Sequence, residues 1–469
     1  MIKTICALSF LFCLNTSAQP VSVRLDNAAK ALQNDLQMKH AMMSLYVVET
    51  KTGNPVYSLN EQTGLAAAST QKIFTSVASF ELLGNNYRYK TEIGYDGEIK
   101  SNALKGNLYI VGYGDPSFGS WRFADTKREA ILNKIISIVK SAGIQKIEGN
   151  IILNDSKFSY QPLPGGWIWE DIGNYYGAGT WGINWNENQY DLLLKPGAKE
   201  GDDVGITGTE PPLEVYSLTN LLKSGKPGSG DNGYIYMPPY AVAGFVEGTV
   251  PAAEKKFILS GSMPNPSYQL SKELEQKLSI NAIALNGSFK TAAELITNKQ
   301  VIPSYTKLLD TIMSPPLDSL NYWFLQKSIN LYGEALIKTI AYQQAGTGST
   351  DKGVEILRDF WSKNGIEKSA INIIDGSGLS PQNRVTTNAL VTVLQYAKTR
   401  PWFNSFYNAL PSYNNMKMKS GTIGGAKAYT GYHTAKNGTE YTFAIIINNY
   451  DADAGSIVTK MYKVLDELK

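Results

Sequence analysis

The chain has 469 residues, enough for two or three domains. With 43% hydrophobic and 18% charged residues it can build packed cores, which excludes a disordered chain. A formal net charge of only +3, without a long basic run, gives no electrostatic basis for binding nucleic acid.

In chain order, Lys3, an apolar run over 5–14 and the small pair Ser17-Ala18 form the pattern of a secretory signal peptide, with cleavage expected after Ala18. The run is too short to span a bilayer, so no transmembrane anchor is expected after cleavage. The mature protein, starting at Gln19, is expected to be secreted, periplasmic or cell-envelope associated. Cys6 and Cys13 both fall inside this leader, leaving no disulfide or thiol chemistry in the mature chain. His40 and His433 are the only histidines; they allow one Ser-His-Asp triad by count and exclude a multi-histidine zinc site.

Residues 27–40 read as a helix, and 43–49 and 56–59 as strands joined by the turn residues Thr52-Gly53-Asn54. A helix follows from Ser69 to Leu83, stopped by Gly84-Asn85. At the far end, 416–422, 427–434 and 441–448 read as strands, the last two joined by Lys436-Asn437-Gly438, and 456–468 as a closing helix. The two ends together make one five-stranded antiparallel sheet with both terminal helices on it. Helical periodicity over 320–342 and 354–364 supplies a helical lobe, whereas 87–305 is rich in short alternating strands and Gly, Pro, Asn and Asp turns.

Three short motifs carry chemistry. Ser69-Thr70-Gln71-Lys72 puts a hydroxyl and an amine on one helix face, and a serine needs such a base to become a nucleophile. Ser328-Ile329-Asn330 precedes an apolar-periodic stretch. Lys419-Ser420-Gly421-Thr422, on a predicted strand, combines a cation with hydroxyls able to hold a carboxylate. Each has an ordinary structural reading too: a solvated helix face, a helix N-cap and a strand edge.

In this order the three are the motif set of penicillin-binding proteins and serine β-lactamases. About 250 residues separate Lys72 from Ser328, far more than a compact β-lactamase needs. The chain resembles the class C low-molecular-mass penicillin-binding proteins, D-alanyl-D-alanine carboxypeptidases and endopeptidases with a large insertion at this point. The resemblance covers essentially the whole mature chain. The segments 107–116, 166–171 and 375–380 look like further landmarks of that family, the last a turn shaping the site. Two departures are Ser420, where threonine is more usual, and Ile329, where aspartate is often found.

The resemblance implies an α+β penicillin-binding/β-lactamase-like transpeptidase fold. Residues 19–86 and 306–469 would form the peptidase domain and 87–305 a β-rich inserted domain, with a smaller nested module around 200–280. It implies that Ser69 attacks the penultimate D-alanine carbonyl of peptidoglycan stem peptides, with Lys72 as base and Ser328 relaying a proton to the leaving amine. Asn330 would hold the peptide amide. Lys419 would support the proton network, and Ser420 and Thr422 would bind the terminal carboxylate. The oxyanion would lie between the backbone N–H groups of Ser69 and Thr422. β-Lactam antibiotics would be covalent inhibitors, and the resemblance implies neither a metal nor an organic cofactor. Asp171 and Tyr176 have the acid and the aromatic ring to hold an amine-bearing side chain, although a tryptophan-rich structural segment explains them equally. A serine β-lactamase and a non-catalytic wall-binding protein are the alternatives in function.

Overall fold

The computed structural model describes residues 19–213, 216–451 and 454–469; the expected leader, 1–18, lies outside them. Its largest sheet has six strands in the order Pro55–Leu59, Met42–Glu49, Glu440–Asn448, Ala426–Thr434, Met416–Ile423, Ser412–Tyr413. Every neighbouring pair is antiparallel, so the first long strand lies along the last, with Leu45 opposite Ile445. Five of these strands are those expected; the sixth, two residues long, extends the edge.

The centre of this sheet is covered on both faces, so Glu440–Asn448 is apolar almost throughout. Ile445 and Ile447 join the cluster under the terminal helices, Val21–Gln33 and Ala454–Asp466, while Ala444 and Ile446 join the cluster under the helical lobe. This is the period-two alternation of a strand. The first helix begins earlier than its expected 27–40 and ends at Gln33, because Leu25, Ala29 and Leu32 supply the buried stripe. The 320–342 run is two helices, Leu317–Gln326 and Asn330–Ala345, broken at Ser328, whose φ of 56° is left-handed.

Between the two halves of this domain the chain builds a second body. Its main sheet has the order Phe289–Thr291, Ile151–Asn154, Leu108–Gly112, Lys90–Tyr95, Lys307–Met313. The entering and leaving strands therefore pair with each other, and the sheet extends past residue 305. Two helices unforeseen in the sequence, Arg128–Ser141 and Pro266–Ile280, pack on it through Ile131, Ile135, Val139, Leu270 and Leu274. Two three-stranded sheets between Gln189 and Ser262 share a smaller core around Tyr190, Leu222 and Val246. Among the described residues no helix is long and apolar enough to cross a membrane.

Candidate active site

Ser69 lies in the 3-10 turn Ala68–Gln71, which leads into the helix Lys72–Leu82. Ala68 has a φ of 48°, a left-handed conformation costing a non-glycine residue about 1–3 kcal/mol unless its surroundings hold it. They do. The Asn448 side chain accepts from Ala66 N at 2.8 Å and donates to Ala66 O at 2.9 Å. Gly421 comes so close that a Cβ there would stand 2.3 Å from Ala67 O and 3.0 Å from Ser69 N. On the other side a Cβ at Gly378, φ +82°, would lie 2.1 Å from Ala68 O. Strand and loop thus close on the Ser69 turn from two directions, and only glycine permits either approach.

Lys72 is fully buried, and its Nζ reaches Ser69 Oγ at 2.9 Å, Asn330 Oδ1 at 2.6 Å and Ser377 O at 2.7 Å. Loss of hydration pushes the amine down to about 7, against the pull of the Asp375 and Glu334 charges. Asn330 donates through Nδ2 to Tyr176 O at 2.7 Å, so both ends of its amide already have protein partners. The amide that the resemblance assigns to the substrate peptide is thus engaged within the protein. The Ser328 hydroxyl has no hydrogen-bond partner among the described residues, so the expected relay is not a bond already in place.

Lys419 is buried as well; its Nζ donates to Ser420 O at 2.9 Å, and burial, with Lys72 and Lys427 nearby, holds its amine well below the usual lysine range. Ser420 is half-buried and Thr422 exposed on the same strand. Lys427, across the hairpin, donates to Thr422 Oγ1 at 2.6 Å.

A cleft of about 820 Å³ brings together Ser69, Ser328, Asn330, Thr422, Asp171 and Tyr176. Asp171 sits on the short helix Trp169–Ile172. Burial and then the neighbouring Glu170 raise its carboxyl to about 6, opposed by a hydrogen bond from Tyr176. Burial, followed by the Asp171 charge, raises the Tyr176 hydroxyl above its ordinary value. Lys72, Lys419 and Ser420 adjoin the cleft beside Ser69 and Thr422 without lining it.

Two buried acids hold this arrangement: Glu334, missed in the sequence, and Asp375, placed there only as the start of a turn shaping the site. Glu334, one helical turn beyond Asn330, accepts from Gly376 N at 3.1 and 3.2 Å; burial, then the charge of Asp375, raises its carboxyl to about 8. Its signal was an acid inside an apolar helical run. Asp375 accepts from Gln71 Nε2, Trp167 Nε1, Gly378 N, Ser380 N and Asn383 Nδ2 at 2.8–3.0 Å. Among the described residues no group of three His, Cys, Asp or Glu side chains is arranged to hold a metal ion.

The family of D-Ala-D-Ala carboxypeptidase 3 (S13) matches residues 25–468. A D-alanyl-D-alanine carboxypeptidase of an Actinomadura species is 25% identical over 455 residues, covering 90% of this chain and 81% of the relative. The D-alanyl-D-alanine carboxypeptidase DacB of Haemophilus influenzae is 25% identical over 420 residues, covering 83% and 82%. The fold is that of the crystal structure of penicillin binding protein 4 from Haemophilus influenzae, with a TM-score of 0.78 at 21% identity over 95% of this chain and 97% of that one. With a match running from the first helix to the last, the chain belongs to the D-Ala-D-Ala carboxypeptidase 3 (S13) family and is a serine-type D-Ala-D-Ala carboxypeptidase.

Proposed function

We propose that this carboxypeptidase acts on peptidoglycan stem peptides by acyl transfer through Ser69, with Lys72 as the base. One observation carries the reading. Two of the three partners of Lys72 Nζ, Asn330 Oδ1 and Ser377 O, can only accept; the third, the Ser69 hydroxyl, can also donate. A neutral amine has two N–H groups and one lone pair, so with both carbonyls satisfied the lone pair faces Ser69 O–H. That is the geometry for proton removal as Ser69 attacks the carbonyl of the penultimate D-alanine.

The backbone N–H of Ser69, against which Gly421 packs, and that of Thr422 are the donors proposed for the oxyanion. Ser328 on the cleft wall is assigned the proton transfer to the leaving D-alanine amine, with Lys419 supporting it. Asn330 orients Lys72, a role its two bonds support better than holding the substrate amide. Ser420 and Thr422 take the terminal carboxylate, and water then frees the shortened peptide. Cleavage of cross-links is the same chemistry with a longer leaving amine. The inserted body, through Asp171 and Tyr176, is assigned the side-chain preference. Export after removal of 1–18, to the periplasm or cell envelope, follows from the same reading.

β-Lactams are proposed to acylate Ser69; the Haemophilus protein of this fold has been solved complexed with a β-lactam. The test is intact mass after exposure to benzylpenicillin. One antibiotic should add to the native protein and none to Ser69→Ala, and the same variant should lose peptide cleavage. Labelling that persists in Ser69→Ala at another serine overturns the assignment. Fast turnover of penicillin without cleavage of a D-Ala-D-Ala peptide would instead mark a β-lactamase.

A further inference from the structure

Thr422 stands near the end of the strand Met416–Ile423, and the hairpin through Gly424-Gly425 returns Lys427 directly opposite it. The Lys427 amine donates to Thr422 Oγ1 at 2.6 Å and lies 5.2 Å from the centre of the Tyr429 ring. No carboxylate among the described residues pairs with Lys427 or with Lys419. Burial and the neighbouring Lys72 and Lys427 hold Lys419 well below its ordinary value, whereas half-buried Lys427 is lowered by loss of hydration alone and is the cation of this hairpin, with no anion of its own.

Hydrogen-bond polarity then decides what Thr422 can do. An ammonium only donates, so the hydroxyl oxygen facing Lys427 is an acceptor there. Its single O–H is left to donate elsewhere, and Thr422 lines the cleft that holds Ser69. A donor backed by an uncompensated cation suits an anionic acceptor. We infer that Lys427 is a positioning residue that fixes Thr422 as a donor to the free carboxylate of the terminal D-alanine and adds its charge to that subsite. Lys427 stands behind Thr422 and acts through it. The inference rests on the Ser69 cleft being the peptide site, and it makes Lys427 a determinant of preference for a free C-terminus.

The experiment compares native enzyme, Lys427→Met and Lys427→Arg on two substrates sharing one acyl part. One ends in D-alanine with a free carboxylate; the other is an activated thioester with an uncharged leaving group. Lys427→Met should lose about tenfold or more in kcat/KM on the first, mainly through KM, and stay within about twofold on the second; Lys427→Arg should recover most of the loss. Adding Lys427→Met to Thr422→Val should cost little beyond Thr422→Val alone, because the lysine works through that hydroxyl. Equal losses on both substrates, no loss on either, or full additivity with Thr422→Val overturns the assignment. Failure of the underlying reading looks different: native enzyme would cleave neither substrate, and the Lys427 assignment would fall with it.

Discussion

With Lys72 proposed as the base, its burial predicts the pH response of the site. Taking the amine out of water favours its neutral form and brings it to about 7, and only that form can accept the Ser69 proton. Acylation by a penicillin should therefore rise with pH through about 7 and level off above it; a rate that is flat or falling across this range would remove Lys72 as the base. Lys72→Met should lower the acylation rate by about 10²–10⁴-fold. Glu334, one helical turn past Asn330, is itself raised by burial to about 8 and so is largely neutral where Lys72 titrates. Glu334→Gln should therefore leave the limb of the pH–rate profile close to its native position, and glutamine retains an oxygen for Gly376 N, so the fold of the loop is kept. A limb that moves to lower pH would show that Glu334 carries its charge at the site.

At the scale of elements, the loop 375–380 joins the Ser69 helix, the helical lobe and the inserted body. Asp375 Oδ1 takes three donors and Oδ2 takes Trp167 Nε1 and Ser380 N. Asp375→Asn must turn an NH₂ towards donors on one side, leaving buried groups unpaired. Each such loss costs about 1–3 kcal/mol, so unfolding in urea should show a drop of about 2–5 kcal/mol, and a loss under 1 kcal/mol would mean the loop relaxes freely. The sequence revealed this loop as a turn near the site and nothing of its bonds, because Trp167 is 208 residues away. Spacing within one element was readable: Ser69 and Lys72 share a turn of helix, and the strand pairs of the main sheet alternate as expected. The helix Arg128–Ser141 was hidden because its run of isoleucines favours a strand by propensity; packing of Ile131, Ile135 and Val139 on a sheet decides otherwise. At Ser328 the N-cap reading marked a helix start, but the left-handed conformation that ends the preceding helix left no glycine to show it. Lys427 read only as the start of a strand, its partner Thr422 being set by hairpin register.

Across the whole molecule, residues 158–188 of the inserted body fold back on the helical lobe. Lys338 Nζ, buried in the lobe, donates to Gln161 O at 2.8 Å and Thr180 O at 3.0 Å, and Tyr332 OH donates to Glu187 Oε1 at 2.9 Å. Asn330 holds Tyr176 O, so the segment that carries Asp171 is tied to the residue that orients Lys72. The wall bearing Asp171 is thus fixed relative to Ser69, as a side-chain specificity site requires. If Asp171 pairs with an amine on the stem peptide, Asp171→Asn should lower kcat/KM on amine-bearing peptides by about ten- to a hundredfold and leave acylation by a simple penicillin unchanged. The pH dependence gives a second reading. Burial holds the Asp171 carboxyl near 6, so it is ionised above that value and neutral below it. The ratio of rates for an amine-bearing peptide and its acetylated form cancels the titration of Lys72, which both share. That ratio should fall as pH drops through about 6 in the native enzyme and stay flat in Asp171→Asn. A ratio that is flat in both, or equal losses on peptide and penicillin, would make the Trp169–Ile172 helix a structural brace with no part in substrate choice.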